Sequence, residues 1–213
     1  MDSVPARAAG RSYAAAVTSV DPIARGGRGP GRPRDQEADR KVLQATLELL
    51  AAGGFKGLRA DLVAERSGVP KSTICRRWPS MTSLAIDAVE QALGPRTFEP
   101  TGDPGADVRT LVTLVHRSLV GNPVGRTLPQ IAIDLLGRPE VAQDYRARVI
   151  HPLRTAAIDA VRRGNEVGAW SLPDPELAVD MVIGAMIYRL TILDREPPLE
   201  DCLHAVDLLL GPR

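Results

Sequence analysis

Apolar residues recur at helical spacing along most of the chain that follows residue 34. The first stripe falls within residues 35–52, and Gly53 and Gly54 follow it directly. This stripe contains Val42, Leu43, Thr46, Leu47, Leu49 and Leu50. Such spacing is typical of an amphipathic helix, and the paired glycines predict the residue at which it ends.

Three further helices are predicted over residues 59–66, over residues 70–78 and from Ser80 to about residue 93. Gly68 can adopt the positive φ that ends one helix, and Pro70 suits the first turn of the next. Pro79 then breaks the chain, and the Ser80 side chain can cap the fourth helix.

A loop with three Pro and three Gly at residues 94–105 separates these four helices from the rest of the chain. Five helical stretches follow, at about residues 106–120, 126–137, 139–164, 174–194 and 199–210. No segment alternates apolar and polar residues as a half-buried strand does. We therefore predict an all-α protein of about nine helices, with domains at residues 35–93 and 106–213 joined by the loop.

Residues 1–34 have a different composition. They hold six arginines and two aspartates, a net charge of +4, although the whole chain carries only +1. Without apolar periodicity this segment is predicted to be a disordered basic arm. Its RGPGRPR run is similar to segments that enter the DNA minor groove, which makes Arg28, Arg32 and Arg34 candidate contacts. A passive leader, or a misassigned start codon, explains the same composition.

The helices at residues 59–66 and 70–78 have the turn chemistry of a helix-turn-helix. Ile74 and Trp78 are four residues apart and so face a core, which leaves polar residues on the opposite face. Ser and Thr can bind phosphates or bases, and Arg can bind guanine with two hydrogen bonds. The predicted DNA contacts are Arg59, Lys71, Ser72, Thr73, Cys75, Arg76 and Arg77. The alternative is the solvated face of an ordinary helical hairpin.

The stretch from Arg40 to Leu84 resembles the DNA-binding domain of TetR/AcrR-like transcriptional repressors. The segments RKVLQATLELLAAGGFKGL and VAERSGVPKSTICRRWPSMTSL carry the resemblance, which is to the branch with an RRWPS-type run. PELAVDMVIGAMIYRLTIL resembles the ligand and dimerisation domain of that branch. The resemblance spans about residues 35–210. It implies a homodimer that binds a double-stranded, inverted-repeat operator and responds to a small-molecule effector.

Three contacts that are usual in the family are altered in this chain. The family usually has Tyr where this chain has Cys75, Lys where it has Met81, and a Ser or Thr cap where it has Leu58 and Arg59. These family residues commonly contact the DNA backbone, so those contacts do not carry over directly. Arg59 and Arg76 are available to compensate. Cys75 either replaces the tyrosine or serves as a redox-sensitive thiol on the DNA-facing helix.

The helix predicted at residues 174–194 is apolar on nearly every side, so it must be covered all round. The final helix also carries apolar residues at helical spacing. The resemblance implies a four-helix dimer interface built from these two helices of each chain. Its candidate residues are Val182, Met186, Leu190, Leu203, Val206 and Leu210. The alternative is that both helices simply line the core of a monomer.

The helices between residues 106 and 164 carry faces on which apolar side chains mix with a few polar ones. Such walls are typical of small-molecule sites, although a packed core has the same pattern. We predict a cavity between these helices and the helix at residues 174–194. Its candidate wall residues are Leu111, Leu114, Val115, Ile131, Leu135, Tyr145, Val149 and Leu153.

Motifs for catalysis or metal binding are absent from the sequence. His116, His151 and His204 fall on separate predicted helices, and the two cysteines, Cys75 and Cys202, are far apart. We therefore predict neither an enzyme nor a cofactor. No apolar run suits a membrane span or a signal peptide, so a cytoplasmic location is expected. A constitutive or architectural DNA-binding protein and an all-α enzyme remain as alternative functions.

Overall fold

The computed structural model describes residues 33–122 and 124–211, with side chains from residue 36 onward. In this part of the chain there are only helices, turns and loops. The α-helices are α1 (Pro33–Gly53), α2 (Ala60–Ser67), α3 (Lys71–Arg77), α4 (Met81–Leu93), α5 (Pro104–Leu119), α6 (Leu128–Asp134), α7 (Pro139–Tyr145), α8 (His151–Glu166), α9 (Pro175–Thr191) and α10 (Leu199–Leu210). The predicted all-α fold is confirmed. No helix of the described residues is long and apolar enough to cross a membrane.

The helix boundaries differ from the predicted ones where local hydrogen bonds decide them. Helix α5 begins at Pro104, two residues early, because the Asp103 side chain caps it by accepting from the Gly105 and Ala106 N–H groups at 2.9 and 3.2 Å. Helix α7 continues through a π-helical turn (Arg146–Ile150) into α8. These three segments form one continuous helix. Counted in this way, the ten α-helices of the described residues make nine.

Helices α1–α4, which we call the head, surround one small core. Val42, Val63, Ile74 and Leu84 come from four different helices, and each is completely buried. Apolar burial of this kind stabilises a helix far more than its intrinsic propensity does. It therefore fixes the short helices α2 and α3 against α1.

Helices α5–α10, which we call the body, pack around α5 and α8. Buried Asp107 fastens the preceding loop to this pair. Its Oδ1 accepts hydrogen bonds from the Thr101 N–H and hydroxyl at 2.9 and 2.7 Å, and its Oδ2 accepts one from Arg163 at 3.1 Å. Burial raises the pKa of Asp107, but these hydrogen bonds outweigh it and hold the pKa below its usual range.

Two of the joints between the head and the body involve specific side chains or turns. At the first, the Arg138 guanidinium lies over the Phe55 ring, 5.5 Å from its centroid, and Lys56 Nζ lies 3.6 Å from Asp134 Oδ1. At the second, α4 packs against the π-helical turn. The packing of α1 against residues 125–127 adds to these joints, and together they hold the head against the body.

Candidate nucleic-acid interface

The turn between α2 and α3 has the geometry that the sequence predicts. Gly68 ends α2 in the left-handed region at φ 68°, and its N–H donates to the Ala64 carbonyl at 3.0 Å. The Val69 N–H donates to Ser67 Oγ at 3.2 Å, and Pro70 precedes the first residue of α3. These contacts bend the chain within three residues and set the angle between the two helices.

Gly68→Ala is expected to lower the free energy of unfolding by about 1–2 kcal/mol, because an L-residue is disfavoured at a left-handed φ. A Cβ at this position would contact nothing within 4 Å, so the cost comes from the backbone alone. Gly57→Ala is the matched control, since Gly57 also has open space but no positive φ. Urea denaturation measures both. An equal loss of stability in the two variants would contradict the assigned role of Gly68.

Helix α3 has one buried face and one exposed face. Ile74 and Trp78 are buried at 0% and 7% exposure, as their spacing predicts, and Val69 covers the same core. Ser72, Cys75 and Arg76 are exposed, and Thr73 is half-buried. The exposed face therefore presents a hydroxyl, a thiol and a guanidinium to the solvent.

The four predicted basic contacts of the head lie in different electrostatic environments. Arg59 is exposed immediately before α2, and Arg76 is exposed on α3. Lys71 Nζ lies 2.7 Å from Asp61 Oδ1, and hydrogen bonding to this carboxylate raises the pKa of the Lys71 amine. Arg77 is the most buried of the four, with its side chain 19% exposed, and it forms an ion pair with Asp39 of α1. Arg77 thus has a structural partner, whereas Arg76 points into the solvent.

The basic arm falls largely outside the described residues. Arg28 and Arg32 precede them, and Arg34 belongs to the first turn of α1, in a stretch whose side chains are not described. Helix α1 therefore begins two residues before the predicted helix start at residue 35. The minor-groove contacts stay a prediction.

A chain of hydrogen bonds leads from the end of α3 into the body. The Trp78 Nε1–H donates to Asp87 Oδ2 of α4 at 2.9 Å, and Arg148 Nη2 of the π-helical turn donates to Asp87 Oδ1 at 2.7 Å. Arg148 Nε also donates to Glu90 Oε2 at 3.0 Å. Asp87 is therefore bound from both sides. Sequence periodicity could not reveal this link, because it joins residues 70 positions apart.

The body contains a cavity of about 370 Å³ between α5, α6, α8 and α9, where the sequence predicts one. Of the predicted wall residues, Val115, Val149 and Leu153 line it, and Leu114 lines a neighbouring cavity of about 350 Å³. We call the first cavity A and the second cavity B. Ile150, next to Arg148 on the π-helical turn, also lines cavity A.

Four predicted wall residues line neither cavity A nor cavity B. Leu111 borders only a void of about 30 Å³. Ile131, Leu135 and Tyr145 are almost completely buried, and the Tyr145 hydroxyl donates to the Leu128 carbonyl at 3.0 Å. Burial also raises the pKa of Tyr145. These four residues therefore pack in the core of the body, and their part in an effector pocket stays a prediction.

The predicted dimer residues also divide by burial. Val182, Met186, Leu190 and Val206 are at most 6% exposed within a single chain, so they have no surface to offer a partner. Leu203 and Leu210 are half-buried. The exposed large apolar residues of α9 and α10 lie elsewhere, and they are Leu177, Met181, Tyr188 and Leu208. Within a single chain these four residues serve the core, and the composition of the dimer interface stays a prediction.

A four-helix head with this turn and this exposed basic helix is the arrangement of a helix-turn-helix DNA-binding protein. Two family models match the chain. The model for bacterial regulatory proteins of the tetR family covers residues 42–88, and that for the tetracyclin repressor-like C-terminal domain covers residues 98–209. The chain belongs to the TetR family of DNA-binding transcriptional regulators.

Individual relatives agree with this assignment. An uncharacterized HTH-type transcriptional regulator, YdeS of Bacillus subtilis, is 29% identical over 171 residues, which cover 78% of this chain and 84% of YdeS. The HTH-type transcriptional repressor KstR of Mycolicibacterium smegmatis is 27% identical over 100 residues, 44% of this chain and 49% of KstR. The crystal structure of the TetR family regulator SCO0332 is similar, with 31% sequence identity and a TM-score of 0.57. The match covers 83% of this chain and 98% of SCO0332.

Proposed function

We propose that this protein is a ligand-responsive repressor that binds an inverted-repeat operator as a homodimer in the cytoplasm. Residues Arg59, Lys71, Ser72, Thr73 and Arg76 would contact the operator, with Cys75 at the centre of the exposed face of α3. Two copies of α3 related by a two-fold axis would enter successive major grooves. The repressor assignment draws support from the similarity to KstR.

The observation that carries the ligand-responsive part is the position of the π-helical turn. Val149 and Ile150 on this turn line cavity A, and Arg148 on the same turn binds Asp87 of α4. A molecule that displaced Val149 or Ile150 would therefore move Arg148 as well. Asp87 accepts from Trp78 at the end of α3, so the orientation of the DNA-binding helix would change with the state of the cavity. Interruptions of this kind in helices are frequent at functional sites.

Coupling across this link can be measured without knowing the effector. In a double-mutant cycle of Trp78→Phe and Arg148→Met, we expect an interaction energy of about 0.5–2 kcal/mol in urea denaturation, because both residues bind the same carboxylate. The control cycle pairs Trp78→Phe with Arg154→Met, whose partner is Asp180 on α9. It should be additive within about 0.5 kcal/mol. Additivity in both cycles would contradict the proposed route between cavity and head.

A constitutive DNA-binding protein is the second candidate. Such a protein would need no cavity in the body, so the presence of cavity A argues against this second function. Thermal unfolding across a panel of metabolites separates the two functions, because a ligand that binds only the native state raises the melting temperature.

A further inference from the structure

Arg96 lines both cavity A and cavity B. It lies on the loop between α4 and α5, and Ser118 and Leu153 also line both cavities. The side chain is half-buried and its Nε atom is completely covered. An arginine on an interdomain loop would ordinarily extend into the solvent, so its inward position requires an explanation.

The charge of Arg96 is not compensated by any carboxylate of the described residues. Its hydrogen bond is a long one, from Nη1 to Ser118 Oγ at 3.4 Å, and Nε has no partner. Burial lowers the pKa of the guanidinium, which is the expected cost of removing a charge from water. A buried donor without an acceptor is destabilising unless something else supplies the acceptor.

The other charged groups around the two cavities do not supply that acceptor. Asp180 lines cavity A, but Arg154 binds both of its oxygens at 2.9 Å. Cavity B is lined by a second arginine, Arg117, and by no acidic residue. The electrostatic environment of Arg96 therefore favours an anion. Ser118 does not compete for it, because its hydroxyl donates to the Leu114 carbonyl at 2.9 Å.

Apart from Arg96, Ser118 and the Arg154–Asp180 ion pair, cavity A has an apolar lining. Its walls include Val115, Leu119, Leu128, Val149, Ile183 and Ile187. At roughly 30 Å³ for each water-sized group, its 370 Å³ holds about a dozen non-hydrogen atoms. Such a space accepts an apolar body of medium length.

We propose that the effector is an amphiphilic carboxylate whose head group binds Arg96 and whose apolar body fills cavity A. This inference rests on the proposed ligand-responsive function and specifies its ligand class. A guanidinium and a carboxylate match in shape and can form two parallel charge-assisted hydrogen bonds. A single buried guanidinium balances the single charge of a carboxylate better than the double charge of a phosphate monoester.

Calorimetric titration of the full chain with octanoate, 1-octanol and octylamine tests the head group, because the three probes share one apolar body. Octanoate is expected to bind once per chain, at least 10-fold more tightly than 1-octanol, and octylamine not at all. Equal affinity for octanoate and 1-octanol, or absence of octanoate binding, would overturn the proposal.

Two variants locate the contact. Arg96→Met should remove the preference for octanoate over 1-octanol while leaving the melting temperature of the ligand-free protein unchanged or higher, because an uncompensated charge is lost. Arg117→Met, which removes an exposed arginine from the rim of cavity B, should retain the preference. If Arg96→Met does not fold, Arg96→Lys is used in its place. Its preference for octanoate over 1-octanol should be several-fold smaller than that of the unchanged protein. A preference that survives both Arg96 variants would refute the assigned contact.

Measuring operator release separately distinguishes this inference from the proposed function. Octanoate binding that weakens operator affinity supports both. Release by a neutral or cationic compound, without octanoate binding, would retain the ligand-responsive repressor and overturn the carboxylate site. Octanoate binding that leaves operator affinity unchanged would retain the site and contradict ligand-responsive function.

Discussion

Arg76→Ala is expected to weaken operator binding by about 1–3 kcal/mol, or roughly 5- to 150-fold. Arg76 is exposed on the polar face of α3, opposite the buried Ile74 and Trp78 side chains. Its guanidinium can therefore reach a base edge without breaking an internal contact. Fluorescence anisotropy with operator and scrambled duplexes measures the effect, and the loss should be larger for the operator.

Arg77→Ala is the matched comparison, since the two residues are adjacent and chemically identical. Arg77 is paired with Asp39, so its removal should reduce the melting temperature more than it reduces the preference for the operator. A uniform loss of affinity for all sequences after Arg76→Ala, with a change of about 0.9 in the salt slope, would indicate a phosphate contact instead. Unchanged operator affinity in Arg76→Ala would refute the assignment of α3 as the recognition helix.

Met181→Glu is expected to weaken the homodimer by at least ~3 kcal/mol, or roughly 100-fold, because an unpaired carboxylate would be buried in the interface. Leu177, Met181, Tyr188 and Ile192 are each more than half exposed, and their spacing places them on one face of α9. Leu208 of α10, 73% exposed, extends the apolar surface. An exposed apolar stripe of this kind is typical of an association surface.

Sedimentation velocity measures the dimer, and Leu136→Glu serves as the control. Leu136 is also 73% exposed but lies directly after α6 and belongs to neither α9 nor α10. The control should remain dimeric and should bind the operator normally, whereas Met181→Glu should lose both properties together. A Met181→Glu protein that stays dimeric would place the interface on another surface.

The head was predictable because its signals are local. Ile74 and Trp78 are separated by one helical turn, Gly68 marks a left-handed residue, and Ser80 caps α4 by accepting from the Ser83 N–H at 3.0 Å. Each of these depends on neighbouring residues alone. What the sequence could not distinguish is Arg76 from Arg77, since the partner of Arg77 is Asp39, 38 positions earlier.

The body was less predictable for two physical reasons. Helix α9 is apolar on nearly every side, so its sequence does not indicate which face is buried. The buried face with Val182 and Met186 therefore could not be distinguished from the exposed face with Met181. Tyr145 and Val149 have the same helical spacing whether they line a cavity or a core. Only tertiary packing decides that Tyr145 binds the Leu128 carbonyl and that Val149 lines the cavity.

Arg96 had no sequence signal that separated it from an ordinary solvated loop residue. Its neighbours Gly94 and Pro95 predict a loop, and loops are normally exposed. Its inward position becomes visible only when Ser118 and Leu153 are seen on either side of it.

Selection of operator sequences from random duplex DNA by the purified full chain is the most direct test of the central claim. The account predicts enrichment of an inverted repeat, bound by two chains, with half-sites separated by one helical turn or a multiple of it. Arg76→Ala should lose discrimination at the base pairs facing α3. Recovery of DNA with no shared sequence at any salt concentration, or of a single unrepeated half-site, would contradict it.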